Sequence, residues 1–203
     1  MKKTPIEVFS NWVESGKDLG METGHNKSVD NMLDYATKNQ KNFSFIDAGC
    51  GNGWVVRKIS KNSKCISATG IDGSLKMITK AKKLDAFNDY VCEDLNSWMP
   101  KNKVDIVHAM EVFYYFERPD KLIRYIYSNW LKNNGRLIIG IDFYFENTVS
   151  HTWPEDTGVS IMKLLKENEW VKFFNETGFK DVISWRVGEK EGWNGTLIIT
   201  GVK

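Results

Sequence analysis

An acidic residue followed by alternating glycines is the part of this sequence whose residue types and spacing best suit chemistry. Asp47 precedes Gly49, Gly51 and Gly53, and Trp54 follows the last glycine. Glycines at this spacing predict a turn whose backbone a ligand approaches closely. A dinucleotide site needs glycine where Trp54 stands, and a carboxylate at Asp47 would repel a nearby pyrophosphate. The turn is therefore predicted to bind a ligand with a cationic end.

The pattern E/D-x-G-x-G-x-G resembles the first motif of the class I S-adenosylmethionine-dependent methyltransferases, and residues 47–53 match it in full. S-Adenosylmethionine has no phosphate and carries an ammonium group on its amino-acid tail, which suits an acidic turn. The resemblance therefore implies S-adenosylmethionine as the cofactor. It assigns five residues of the turn to cofactor binding: Asp47, Gly49, Cys50, Gly51 and Gly53.

A second acid, Asp72, closes an apolar segment over residues 65–72 that is predicted to be a strand. In such folds a carboxylate near this place accepts hydrogen bonds from the ribose hydroxyls. Ser74 is predicted to be the N-cap of the helix that follows. Asp72, Gly73 and Ser74 are therefore assigned to the cofactor site, with Asp72 as the ribose acid.

The third predicted strand, over residues 90–95, ends in Glu93, Asp94 and Leu95. The resemblance implies that an acid here receives the adenine amino group, while a neighbouring backbone amide reads the ring. Asp94 matches that position best, and Glu93 and Leu95 lie beside it. We expect the adenine to contact these three residues.

Candidates for the methyl-transfer chamber follow the fourth and fifth predicted strands, over residues 104–110 and 136–143. Ligands of open α/β sheets bind beyond the carboxyl ends of the strands, so residues after these two strands are brought together. We expect seven side chains around the transferred methyl group: Met110, Tyr114, Tyr115, Asp142, Tyr144, His151 and Trp153. Met110 is assigned to the cofactor, and Tyr114, Tyr144 and Trp153 to the methyl acceptor.

Methyl transfer needs a general base only where the acceptor atom carries a proton that must leave. His151 is the candidate base, because it is the only histidine in the loop on that face. Tyr115 is predicted on the opposite side of the pocket, where it would orient the acceptor or accept the proton. If both lie far from the chamber, His25 is the next candidate. The sequence has no Asp and His cluster at metal-ligand spacing, and no metal is expected.

These residues require a scaffold of alternating strands and helices. Strands are predicted at residues 43–47, 65–72, 90–95, 104–110, 136–143, 179–185 and 194–201, with helices at 54–59, after Ser74 and over 159–177. The resemblance implies an α/β fold with a doubly wound seven-stranded sheet. Its strand order is 3-2-1-4-5-7-6, and the last strand is antiparallel.

Residues 1–40 are predicted to form an N-terminal helical cap. Apolar positions predict an amphipathic helix over residues 5–15 and a second helix over 28–38, joined by a glycine-punctuated loop that contains His25. In similar enzymes such a piece closes over the cofactor as a lid. The resemblance therefore implies that Trp12 and His25 contact the cofactor.

Length and composition agree with one globular domain over residues 1–203, because 41% of the 203 residues are hydrophobic and 27% are charged. Within it, residues 41–145 form the predicted cofactor-binding core, and residues 146–203 a substrate-side loop, helix and closing strand pair. A net charge of +2 gives no reason to expect nucleic acid as a partner. No apolar run is long enough to span a membrane and no signal peptide is evident, so we expect a cytoplasmic protein without a membrane partner.

The predicted function is S-adenosylmethionine-dependent methyl transfer to an oxygen or nitrogen of a small molecule by in-line displacement. One alternative is a catalytically silent S-adenosylmethionine-binding subunit or sensor that acts through a protein partner. The other is an NAD(P)-dependent oxidoreductase, against which Asp47 and Trp54 argue. The sequence leaves the methyl acceptor and the oligomeric state open.

Overall fold

Seven segments rich in β-branched and aromatic residues form one mixed sheet in the computed structural model, which describes residues 2–203. The strands are β1 (Phe43–Ala48), β2 (Cys65–Asp72), β3 (Asp89–Cys92), β4 (Val104–Met110), β5 (Leu131–Ile141), β6 (Lys180–Val187) and β7 (Thr196–Val202). Their order is β3-β2-β1-β4-β5-β7-β6. Strands β1 to β5 pair in parallel, whereas β7 is antiparallel to both β5 and β6. The predicted fold class and strand order are confirmed.

Helices cover both faces of the sheet, which explains why its central strands are apolar on both sides. The helices are α1 (Pro5–Ser15), α2 (Leu19–Thr37), α3 (Trp54–Ile59), α4 (Leu75–Leu84), α5 (Pro119–Asn129), α6 (Trp153–Thr157) and α7 (Glu167–Thr177). Buried side chains of α2, α3 and α4 join one core cluster, and those of α5 and α7 join another. Along β5, Leu137 and Ile139 belong to one cluster and Ile138 to the other. The alternation of side chains along a strand therefore produces a core on each face.

The N-terminal helix forms where the sequence predicts it. Thr4 and Glu7 make a reciprocal capping box at its start, and Gly16 ends it in the left-handed conformation with φ 72°. The predicted loop that follows is wrong, because α2 begins at Leu19 and contains Gly20, Gly24 and His25. Each glycine costs a helix about 1 kcal/mol, but burial of the later apolar residues of α2 against the sheet outweighs this cost.

The segment after β5 also departs from the prediction of one helix over residues 159–177. The regular helix α7 begins only at Glu167. Before it, Val159 forms a parallel bridge with Lys3, and the Lys163 N–H donates to the Tyr114 carbonyl at 2.7 Å. These backbone groups bond to distant parts of the chain and not to one another, so no helix forms there.

Two strand boundaries differ from the predicted ones in ways that affect the site. Strand β3 ends at Cys92, so Glu93, Asp94 and Leu95 lie in the loop that follows it. Strand β5 begins at Leu131, five residues before the predicted start at Arg136. None of the helices within residues 2–203 has the length and apolar character that crossing a membrane requires.

Candidate functional site

A cavity of about 430 Å³ opens at the carboxyl ends of the parallel strands β1, β2 and β4. The start of α1 forms part of its wall, and so do the first turns of α2. Twelve of the predicted site residues line it: His25, Asp47, Gly49, Cys50, Gly51, Asp72, Gly73, Glu93, Asp94, Leu95, Met110 and Tyr115. The fold therefore collects most of the predicted residues at one place, because parallel strands end at the same edge of a sheet.

The glycine turn after β1 needs glycine for two different reasons. Gly49, Gly51 and Gly53 have φ values of 75°, 53° and 79°, which other residues rarely adopt. A Cβ atom at Gly49 would collide with Val112, and one at Gly53 with the Tyr90 ring. At Gly51, by contrast, the nearest atom is the Met77 sulfur at 3.9 Å. Gly49 and Gly53 thus allow close packing, while Gly51 leaves its side of the turn open to the cavity.

Asp72 connects the glycine turn to the loop before α4. Its carboxylate accepts from the Gly51 N–H at 3.0 Å and from the Ser74 N–H at 2.7 Å. Burial raises the pKa of Asp72 above its usual value, although these two N–H groups act in the opposite direction. Ser74 itself caps α4 by accepting from the Met77 N–H, and it lies outside the cavity wall.

Asp47 is held by a histidine that the sequence analysis did not identify. Asp47 pairs with His108 in the register between β1 and β4, and the Nδ1 atom of His108 lies 2.7 Å from Asp47 Oδ1. Both side chains are buried. An alignment of the two predicted parallel strands that places residue 47 opposite residue 108 would have predicted this pair. The contact fixes the orientation of the carboxylate at the entrance to the turn.

The loop after β3 contributes Glu93, Asp94, Leu95 and Asn96 to the cavity wall. Asp94 is exposed, and its Oδ1 atom accepts from the Asn96 backbone N–H at 2.9 Å. Leu95 is buried beneath the loop. The loop therefore offers a polar edge and an apolar surface side by side, as recognition of a flat heterocycle requires.

Beside the cavity, three titratable groups from three elements meet. Glu111 follows β4, Asp142 follows β5, and His25 comes from α2. Their potential ligand atoms all lie within 4.8 Å of one another. His25 Nε2 lies 3.4 Å from Asp142 Oδ2, and its Nδ1 atom lies 2.9 Å from the Met21 carbonyl oxygen. Because both ring nitrogens face acceptors, His25 is held as an imidazolium and has no lone pair for a proton.

The environment of this cluster shifts two pKa values upward. Burial alone would lower the pKa of His25, but the bond to Asp142 and the carboxylates of Glu111 and Asp142 raise it to about 9. Burial and the Asp142 carboxylate raise the pKa of Glu111 to about 8, although His25 and Tyr114 lower it. Both groups therefore titrate above neutral pH, and Glu111 is the nearer of the two to it.

The side-chain oxygens of Glu111 are both occupied. Oε1 accepts from the Asp142 backbone N–H at 2.5 Å, and Oε2 accepts from the Tyr114 hydroxyl at 2.6 Å. A divalent cation bound by this cluster would have to displace these donors and the proton of His25. The sequence contained no metal-ligand spacing, and the cluster that the fold assembles is occupied by internal hydrogen bonds. We therefore assign no metal to it.

Several predicted site residues lie outside the cavity wall. Gly53 belongs to the turn, and Trp12 packs its ring against Phe9 at 5.0 Å. Tyr114 is fully buried, and its hydroxyl oxygen lies 3.4 Å from that of Tyr115. Tyr144 is also buried, and its hydroxyl donates to the Asn194 carbonyl at 2.9 Å. Trp153 stacks on Trp193 at 6.3 Å.

His151 does not lie beside the cavity, in contrast to the prediction. Its Nε2 atom lies 2.9 Å from the Phe145 carbonyl oxygen, and its ring lies 5.9 Å from the Phe145 ring. The 3-10 turn at Thr148–Ser150 carries His151 into a loop that does not line the cavity. Tyr115 does line it, so the two residues do not face each other across the cavity as predicted.

Residues that the sequence analysis missed form much of the remaining wall. Asp18 is buried, and its Oδ2 atom lies 2.6 Å from Lys80 Nζ and 2.9 Å from Asn52 Nδ2. Asp18 Oδ1 and Asn52 Oδ1 are buried without a hydrogen-bond partner among the described residues. The other apolar residues of the wall are Pro5, Ile6, Phe9, Met21, Trp54, Val55, Met77, Val112, Phe116 and Ile161.

The charged residues of the cavity wall are almost all acidic. Seven acidic residues line it: Asp18, Asp47, Asp72, Glu93, Asp94, Glu111 and Glu117. Within residues 2–203, neither lysine nor arginine contributes to this wall, and His25 is its only basic residue. Such a surface favours a cationic ligand and disfavours a pyrophosphate.

Comparison with known proteins agrees with this geometry. Residues 46–139 match a family model described as a methyltransferase domain. The chain is 28% identical over 170 residues to the chloroplastic 2-methyl-6-phytyl-1,4-hydroquinone methyltransferase of Arabidopsis thaliana, covering 79% of this chain and 47% of that protein. It spans about half the length of most curated relatives that it matches.

Solved structures share the fold at lower sequence identity. A chain from the complex of the Haloferax volcanii Trm112 methyltransferase activator with a methyltransferase superposes with a TM-score of 0.80 at 23% identity, covering 96% of each chain. The magnesium protoporphyrin IX methyltransferase of Synechocystis, solved with S-adenosylhomocysteine, gives 0.68 at 20% identity and covers 89% of this chain and 84% of that one.

Proposed function

We propose that the chain is a class I S-adenosylmethionine-dependent methyltransferase, which transfers the cofactor's methyl group to an oxygen or nitrogen of a small molecule. The observation that carries the proposal is a single acid-lined cavity. The glycine turn and the Glu111 and His25 side chains all line this cavity. A cofactor and an acceptor can therefore occupy one space.

The residues present fit S-adenosylmethionine. Gly51 leaves room beside the turn, and the Asp72 carboxylate lies next to it for the ribose hydroxyls. The loop with Asp94 and Leu95 offers the polar edge and apolar surface that adenine needs. When bound, the cofactor supplies a methyl group already activated on a sulfonium sulfur. The protein then has to position the acceptor and exclude water.

Two further residues are assigned to the amino-acid end of the cofactor. Asp18 and Asn52 line the cavity, and each keeps a buried side-chain oxygen without a partner among residues 2–203. An ammonium group has three donors, so it can satisfy acceptors of this kind. Lys80 pairs with the other oxygen of Asp18 at 2.6 Å. We propose that these two residues bind the cofactor's ammonium group.

The acceptor is proposed to be neutral or cationic. The cavity wall offers no lysine or arginine within the described chain to neutralise a carboxylate or phosphate, and seven acids would repel one. Phe9, Tyr115 and Phe116 add aromatic faces to the same wall. Aromatic faces bind flat rings and also attract cations. Phenols, flat heteroaromatic alcohols and amines are therefore the first acceptor classes to test.

Calorimetry with S-adenosylhomocysteine and NAD tests the cofactor assignment. We expect micromolar binding of S-adenosylhomocysteine and no measurable binding of NAD, because the acidic wall repels a pyrophosphate. Binding of NAD without binding of S-adenosylhomocysteine would overturn the proposal. A turnover screen of neutral and cationic acceptors against carboxylic acids then tests the acceptor class. Cofactor binding without turnover of any acceptor would favour a silent subunit or sensor that needs a protein partner.

A further inference from the structure

We propose that Tyr115, Tyr114 and Glu111 form a proton path that removes the acceptor's proton from the cavity and stores it on a buried carboxylate. The inference rests on the proposed function, since it concerns methyl acceptors that carry an O–H or N–H group. In this path Tyr115 is the catalytic residue that contacts the acceptor. Tyr114 and Glu111 act through it.

The three side chains are arranged in line from the cavity to the interior. Tyr115 lines the cavity, and its hydroxyl oxygen lies 3.4 Å from that of the fully buried Tyr114. Tyr114 donates its single proton to Glu111 Oε2 at 2.6 Å. In the contact between the two tyrosines, the Tyr115 oxygen accepts from Tyr114. Once the Tyr114 proton has moved to Glu111, the Tyr114 oxygen can accept the Tyr115 proton, and the Tyr115 oxygen can accept the proton of the methyl acceptor. The 3.4 Å separation exceeds the usual distance of about 2.8 Å. Binding of the methyl acceptor must therefore bring the two hydroxyl groups closer before a proton can pass between them.

The backbone at Glu111 is consistent with a functional position. Its φ of 60° is uncommon for a residue other than glycine, and such strain persists only where surrounding contacts enforce it. The Asp142 N–H and the Tyr114 hydroxyl are those contacts. They hold a buried carboxylate at the end of β4, beside the cavity where methyl transfer is proposed.

Other titratable groups around Glu111 are less suited to take the proton. His25, from α2, already directs both ring nitrogens at acceptors. Asp142, at the end of β5, is paired with His25 and does not line the cavity. Burial raises the pKa values of Tyr114 and Tyr115, so neither remains ionised after the proton has passed. Glu111 is the group whose pKa, raised to about 8, lets it exchange a proton near neutral pH.

The reaction balances in atoms and charge. The bond between the acceptor atom and the methyl carbon forms as the carbon–sulfur bond breaks, and the electron pair of that bond stays on sulfur. The acceptor's proton moves to Tyr115, the Tyr115 proton to Tyr114, and the Tyr114 proton to Glu111. A sulfonium cation and a carboxylate anion thereby become a neutral thioether and a neutral acid. Removal of both charges together is favourable in a site shielded from water.

Proton counting during cofactor binding tests the carboxylate without knowledge of the acceptor. S-Adenosylmethionine differs from S-adenosylhomocysteine by the methyl group and the sulfonium charge. A cation in the cavity lowers the pKa of Glu111, so the methylated cofactor should release more protons on binding, up to about half a proton near pH 8. Calorimetry in phosphate and in Tris, which differ in ionisation enthalpy, gives this number.

Glu111→Gln, which keeps the shape of the side chain, should abolish the difference between the two ligands. His25→Gln controls for protons from the imidazolium. In that variant the difference should persist with its midpoint at higher pH, because His25 lowers the pKa of Glu111. If Glu111→Gln does not fold, Tyr114→Phe replaces it. Loss of the Tyr114 hydrogen bond should move the midpoint to higher pH.

Equal proton release by the two ligands in the wild-type protein would overturn the inference, and so would an unchanged difference in Glu111→Gln. Absence of binding by either ligand would overturn the proposed function itself. With an acceptor from the turnover screen, Tyr115→Phe should lower turnover at least tenfold, and by a larger factor than it lowers cofactor affinity. Unchanged turnover in that variant would exclude the path through Tyr115.

Discussion

Asp72 uses one carboxylate for two purposes, since it joins the glycine turn to the loop before α4 and is proposed to bind the ribose. Both oxygens already accept from backbone N–H groups, at 3.0 Å from Gly51 and 2.7 Å from Ser74. Each oxygen of an ionised carboxylate has two lone pairs, so a ribose hydroxyl can be added to each. The local structure that holds the turn therefore also prepares it for the ligand.

Asp72→Ala should weaken S-adenosylhomocysteine binding by about 1.5–3 kcal/mol, the range for hydrogen bonds to a charged group. It should also lower the free energy of unfolding by about 1–3 kcal/mol, because two backbone donors lose their acceptor. Calorimetry measures the first effect and urea denaturation the second.

Asp105→Ala is the matched control for this variant. The Asp105 carboxylate also accepts from a backbone N–H, that of Ser44 at 2.8 Å, but Asp105 does not line the cavity. It should destabilise the protein without changing ligand affinity. Full-strength cofactor binding by Asp72→Ala would remove Asp72 from the proposed ribose site.

At the scale of elements, α1 connects the wall of the cavity to α4. Ile6 packs over Gly73, where an added Cβ atom would lie 2.7 Å from the Ile6 side chain. The Ser10 and Ser74 hydroxyls lie 2.7 Å apart, and Lys76 pairs with Glu14. These contacts are few and largely near the surface, so α1 should open more easily than the helices buried against the sheet.

Thr4→Ala removes the side chain that caps α1 and should make the helix easier to open by about 0.5–2 kcal/mol. Amide hydrogen exchange over residues 5–15 should then be about 2–30-fold faster than in the wild-type protein. S-Adenosylhomocysteine should slow it again if α1 covers the ligand. Residues 167–177, in α7 on another part of the sheet, provide the internal control. Equal protection of both helices by the ligand would argue against a lid.

At the scale of the whole molecule, the Glu111 cluster links stability to pH. The folded-state pKa of His25, about 9, is above its ordinary value of 6.5. Its contribution to stability is fully present below pH 6.5 and is lost as pH rises through 9. The pKa of Glu111, about 8, is likewise above its ordinary value of 4.5, so its contribution declines between pH 4.5 and 8.

The free energy of unfolding should therefore fall between pH 6.5 and 9, by at most about 1.4 kcal/mol per pH unit for each group. Glu111→Gln should have a shallower decline, because its amide does not ionise. Urea denaturation at pH 6.5, 7.5, 8.5 and 9 measures both proteins. A flat profile for the wild-type protein, or the same slope in the variant, would contradict the described electrostatics.

The sequence by itself determined the sheet and the glycine turn that lines the cavity, because both depend on short-range patterns. The strands β2 and β4 begin and end at the predicted residues, since apolar runs bounded by polar residues have few alternatives. The glycine turn required nothing beyond residues 47–53. Sequence patterns predicted the structure less well where hydrogen bonds between distant segments replace local ones. In the stretch before α7, for example, backbone groups bond to Lys3 and Tyr114.

The Glu111 cluster beside the cavity was decided only by the tertiary structure. His25, Glu111 and Asp142 lie far apart in sequence, and packing of α2 against the sheet brings them together. His151 follows β5 and could act as a base by residue type. Its ring, however, bonds to the Phe145 carbonyl within the same loop, and this loop does not line the cavity. Residue types can suggest chemistry, whereas hydrogen bonds and packing between distant segments decide which side chains meet.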